Sequence, residues 1–72
     1  MLIDSEKFKK RVHELGYTIG EVAGLIGVNE ATLYRKIAGT SEFSRAEIQL
    51  LRGVLRLSAT EAEAIFFANE LA

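Results

Sequence analysis

Residues 18–39 read TIGEVAGLIGVNEATLYRKIAG. The stretch predicts two short helices joined by a tight turn at Gly27-Val28, the first over about 19–26 and the second over about 30–38. Thr18 can accept the free backbone N–H of Glu21, and the Glu21 side chain can reach back to the Thr18 N–H, which makes a capping box. Asn29 is a strong cap for the second helix. Gly39 falls where a helix stops in the left-handed conformation, which glycine adopts without a Cβ clash. Two helices joined by a short turn containing glycine form a helix–turn–helix unit.

Spacing inside the unit is specific. Ala23 is a small residue on the first helix, Gly27 follows four later, Val28 is next, and Leu33 comes five beyond. A small residue lets the helices cross closely, and Gly27 can take positive φ in the turn. Val22, Ile26, Val28 and Leu33 then close a small core. On these residues the chain resembles the small phage and prophage DNA-binding proteins of the Cro/repressor type. YRKIAG followed by FSRAEIQLLRGVLRLSATEAEAIFF is similar to the tail of such regulators, so the resemblance runs from about Phe8 to Phe67.

The resemblance implies an all-α, lambda-repressor-like domain of five short helices spanning residues 1–72. It implies a sequence-specific transcriptional regulator that represses by occupying a palindromic operator. It would act as a homodimer on double-stranded DNA in the bacterial cytoplasm, nucleoid-associated when bound, with no cofactor or small-molecule substrate. The second motif helix would enter the major groove with its N-terminal residues toward base edges. Asn29, Glu30, Ala31 and Thr32 occupy that end, and Arg35 lies one turn on. Arg35 is the expected base reader, because its fork matches guanine O6 and N7. Glu30 could accept from cytosine N4, Ala31 and Thr32 could touch a thymine methyl, and Tyr34 and Lys36 suit phosphates. Two positions depart from the family. Ile19 stands where a phosphate-gripping Gln is common. Lys36 stands where an apolar residue is usual, with Ile37 taking the apolar role one position later.

Composition sets further bounds. With 72 residues and no Cys, the chain suits one small domain without disulfides or thiolate metal sites. It has no Pro, and Ala, Leu, Ile, Glu, Lys and Arg are abundant, which favours helix. The sequence predicts no signal peptide and no membrane span. His13 is the only His, and no nucleophilic triad or phosphate loop is visible, so the expectation is a protein that is not an enzyme. Net charge is −1, but residues 1–57 hold nine Lys/Arg against seven Asp/Glu, or +2, and residues 58–72 hold three Glu alone, or −3. A DNA face needs only a local basic patch. The near-neutral balance and Ile19 keep a second reading open: an interaction module that has the fold without DNA binding.

Outside the motif, Asp4 caps a first helix whose Phe8, Val12 and Leu15 form one apolar face. Lys7, Lys9, Lys10 and Arg11 surround that face, where some could touch phosphates. Ile3 and Phe8, Tyr17 and Val22, Val28 and Leu33, and Phe43 and Ile48 each bracket a cap as a hydrophobic staple. Ser44 with Glu47 and Ser58 with Glu61 predict two more capping boxes, opening helices over about 45–55 and 59–71. Gly20 and Gly24 inside the second helix suggest close approach by another backbone or by DNA. Leu50, Val54, Ile65, Phe66, Phe67 and Leu71 exceed what one small core covers, and they are expected to form the dimer surface.

Overall fold

The computed structural model describes residues 3–67 and is all-helical over them. The five helices are α1 (Ser5–Glu14), α2 (Ile19–Ile26), α3 (Glu30–Ile37), α4 (Arg45–Val54) and α5 (Ala59–Phe66). Each begins at the cap its sequence announces. The side chains of Asp4, Thr18, Asn29, Ser44 and Ser58 accept the N–H groups of Lys7, Glu21, Thr32, Glu47 and Glu61. Thr18, Ser44 and Ser58 complete capping boxes with Glu21, Glu47 and Glu61. These bonds satisfy donors that a helix start otherwise leaves unpaired.

Three phenyl rings centre the core. Phe8 on α1, Phe43 before α4 and Phe66 on α5 lie with centroids 5.5–6.2 Å apart. Leu33, Leu51, Leu55 and Val22 are fully buried around them. The Asp4 N–H donates to the Ile65 carbonyl at 2.7 Å, which fastens the start of α1 to α5. Arg11 ties the same helix to α4. Its Nε and Nη2 donate to the Leu55 and Arg56 carbonyls at 2.8 Å each. Those carbonyls lie at the carboxyl end of α4, where a cation is favoured and orphan acceptors need donors. The turn there is closed by Arg56 at φ 53, a left-handed position held by arginine instead of glycine.

Two expectations about the carboxyl-terminal part are overturned. The fifth helix ends at Phe66, with Phe67 as its cap at φ −125, short of the expected bound, and the rest of the expected span, residues 68–71, lies outside the described residues. Leu71 lies outside the described residues. Ile65 and Phe66 are also not surface residues. Phe66 is 0% exposed and Ile65 4%, both inside the core. Side chains about 100° apart on a helix both fit a core-facing stripe, which is itself about 100° wide or more. Val54 and Phe67 are half-buried, so Leu50 is the large exposed apolar side chain left from the expected dimer surface.

Lys36 occupies a position where an apolar residue is expected. Its position is largely buried, as an apolar residue there would be. Its ammonium reaches out to Glu47 Oε1 at 3.0 Å and the Glu42 carbonyl at 2.9 Å, with both ion-pair side chains less than one-fifth exposed. The Lys36 Nζ also sits 5.9 Å from the centre of the Phe43 ring. Ile37 is 3% exposed and fills the core beside it. The pair therefore bolts α3 to the start of α4. Burial pushes the Glu47 carboxyl up, but the Ser44 N–H and the Lys36 ammonium outweigh it and hold the group below its ordinary value of 4.5.

A depressed carboxylate contributes stability that is present above its unfolded value and is lost as pH falls through its folded value. The melting temperature is therefore expected to fall as pH drops below about 4.5. Glu47→Gln keeps an acceptor for Ser44 but removes the titration, so its melting temperature should fall less steeply over the same range. Thermal melts from neutral pH to pH 3 check this, and parallel curves for the two proteins contradict it.

Candidate nucleic-acid interface

The candidate interface is built from the turn outward. Gly27 sits at φ 81, ψ 25, and its N–H bonds to the Gly24 carbonyl at 3.3 Å. The Val28 N–H bonds to the Ala23 carbonyl at 3.0 Å. These two bonds close α2 as a left-handed glycine stop does. Ala23 is 1% exposed, and Val22, Ile26 and Leu33 are buried. α3 is thereby set across α2 with its carboxyl end also fixed. The Arg35 carbonyl accepts the Thr40 and Ser41 N–H groups at 3.0 and 3.3 Å.

Leu33 and Ile37 face inward, so α3 and its C-cap Ala38 present Ala31, Tyr34, Arg35 and Ala38 as one exposed stripe at i, i+3, i+4 and i+7. Arg35 is central in it. Its Nη2 makes one long bond, 3.3 Å, to Thr32 Oγ1. Most of the five donors of a guanidinium are thus free for an outside acceptor. Tyr34 is 46% exposed.

The other expected contact residues are placed differently. Asn29 is exposed, but its Oδ1 is taken by the Thr32 N–H at 2.7 Å, so its amide is a cap first. Thr32 is half-buried. Glu30 is exposed and its carboxylate leans on α2: a Cβ added at Gly20 would lie 2.7 Å from Glu30 Oε1. A carboxylate beside the first turn of a helix is favoured by the helix dipole. Gly20 therefore makes room for Glu30. Gly24 has nothing within 4 Å of where its Cβ would be, so no neighbouring backbone among the described residues explains that glycine. Lys36 is not on the stripe; its ammonium is spent on Glu47 and Glu42.

The cations of α1 divide in the same way. Arg11 is a strut to α4, and Lys7 lies 3.8 Å from Asp4. Lys9 and His13, four residues apart and so on one face of α1, open instead onto a surface groove of about 330 Å³. Tyr17, Thr18, Ile19 and Tyr34 also line it. Tyr34 belongs to both the groove and the α3 stripe. From sequence, Tyr17 is expected only as the staple partner of Val22. The i, i+4 spacing of Lys9 and His13 is the sequence signal that places them on one face.

No protein-family model, curated protein or solved structure matches the chain. Among the described residues, no helix is long and apolar enough to cross a membrane.

Proposed function

We propose that this protein is a sequence-specific DNA-binding regulator that lays the outer stripe of α3 in the major groove. The observation that carries the reading is Arg35, exposed at the centre of that stripe and nearly unpartnered, on a helix anchored at both ends. A bidentate Arg–guanine contact discriminates by about 1–3 kcal/mol. Selection from random duplexes at low and near-physiological salt tests the reading, with an enriched motif as the expected result. No motif at either salt contradicts it.

Arg35→Ala is expected to weaken operator binding by about 1–3 kcal/mol and to relax preference at one base pair. Binding isotherms on operator and on random duplex check this. Equal losses on both would make Arg35 a phosphate contact.

One short helix reads few base pairs, so two copies about 34 Å apart along the duplex would read a palindrome. With Ile65 and Phe66 in the core, the pairing surface on this proposal centres on Leu50, 49% exposed on α4. Sedimentation across concentration is expected to show a dimer that Leu50→Lys dissociates without loss of helicity. A wild-type monomer at high micromolar concentration, free and on operator, contradicts pairing. Exposed Leu25 and Leu50 favour a second reading, a protein-interaction module in which α3 carries no DNA.

A further inference from the structure

We propose that the groove between α4 and α5 docks an acidic amphipathic helix of a partner protein, gripped by Arg45 and Arg52. The groove has a volume of about 560 Å³, against about 330 Å³ for the one beside α3 and about 280 Å³ for one between α1 and α5. Its floor is apolar and made by Ile48, Ala59, Ala62 and Phe67. Ala62 is buried, Ile48 and Phe67 are half-buried, and Ala59 is exposed, so part of a phenyl ring and of a branched side chain faces water. Apolar surface rimmed by charge is the composition of a docking site.

Charge complementarity selects the occupant. Arg45 and Arg52 both line the groove, seven residues apart on one face of α4 and about 10 Å from each other along its axis. Neither side chain makes a hydrogen bond or ion pair among the described residues, whereas Arg11 and Lys36 are spent inside the fold. A guanidinium takes a carboxylate through two parallel N–H bonds and sheds water more readily than an ammonium. Two carboxylates seven residues apart on a partner helix repeat the same spacing, and apolar residues between them face the floor. No strand is present among the described residues, so no sheet edge offers backbone pairing and side chains must make the contact. Glu63 on the α5 wall separates this occupant from a nucleic acid. A phosphate strand meets repulsion there, while an amphipathic helix carries cations as well as carboxylates. The groove shares no residue with the outer stripe of α3, and Leu50 lies at least about 100° around α4 from each α4 residue that lines it. Occupancy of the groove is therefore independent of what α3 reads.

Selection against the full chain from a random library of peptides of about 15 residues, long enough for a helix to form, tests this. Enrichment of acidic residues seven apart with apolar residues between them is the expected result. A labelled peptide from that selection should lose affinity by at least about tenfold for Arg45→Glu and for Arg52→Glu. The same peptide with lysine at its two acidic positions should bind the double variant and not wild type, a rescue that misfolding could not give. Ala59→Glu puts a carboxylate on the floor at an exposed position; it should abolish binding and melt with wild type. Arg35→Ala and Leu50→Lys should leave the affinity unchanged. Absence of acidic enrichment, or affinities indifferent to all three groove variants, overturns the assignment. A random duplex that displaces the peptide, and that the Arg45 and Arg52 variants no longer bind, makes the two arginines phosphate contacts and overturns it as well. Self-association lost in the groove variants gives the groove to a second copy, and peptide binding that appears only after removal of residues 68–72 gives it to the chain's own tail; either result overturns the partner.

Discussion

Phe66→Ala is expected to cost about 3–5 kcal/mol, the range for removing a fully buried phenyl. A domain of 72 residues, at about 0.05–0.15 kcal/mol per residue, has about 4–11 kcal/mol in total. The substitution therefore removes much of what holds the fold. Phe66 is 0% exposed and meets Phe43 and Phe8 edge-on, so its loss strips contacts from both rings. It also sits beside Ile65, whose carbonyl fastens α5 to the start of α1. At about 4–8 °C per kcal/mol for a domain of this size, the melting temperature should fall by at least about 12 °C. Thermal unfolding followed by circular dichroism checks it, with Phe67→Ala as the half-buried neighbour expected to lose much less. Equal losses at the two positions would contradict the assignment of Phe66 to the core.

The second large effect belongs to the turn of the motif. Gly27→Val is expected to destabilise by about 2–3 kcal/mol, the upper part of the range for a non-glycine residue held left-handed. The cause is the backbone. Gly27 sits at φ 81, and an ideal Cβ there would meet nothing within 4 Å. A β-branched residue is an outlier at such φ, whereas Asn visits it with little strain. The expected order of melting temperatures is thus wild type, Gly27→Asn, Gly27→Ala, Gly27→Val. A Gly27→Val protein that melts with wild type would show that the turn does not hold this conformation. Because both bonds closing the turn run back to α2, recognition should weaken only in proportion to lost folding.

Short-range chemistry made most of this fold legible. Each cap joins a side chain to a backbone N–H three residues on, so Asp4, Thr18, Asn29, Ser44 and Ser58 announce their helices from sequence alone. The α3 stripe follows from the same periodicity, once Leu33 and Ile37 are taken as inward. What stayed hidden depends on partners far along the chain. Arg11 among four basic residues looks like its neighbours, and only the approach of Leu55 and Arg56 makes it a strut. Lys36 looked like a surface cation because Glu47 and Phe43 come to it through the packing of α3 on α4. The run Ile65-Phe66-Phe67 gives no sign of which rings face in, since three adjacent apolar residues fit several rotations of α5. The groove under Lys9 and His13 joins α1 to α2 and α3, and no single helix displays it.

Whether the outer stripe of α3 reads DNA is decided by amide chemical shifts of the labelled protein titrated with a selected duplex. The largest changes are expected at Ala31, Tyr34, Arg35 and Ala38, with α5 silent. Changes centred on Leu25 and Leu50, or none at all, would contradict it.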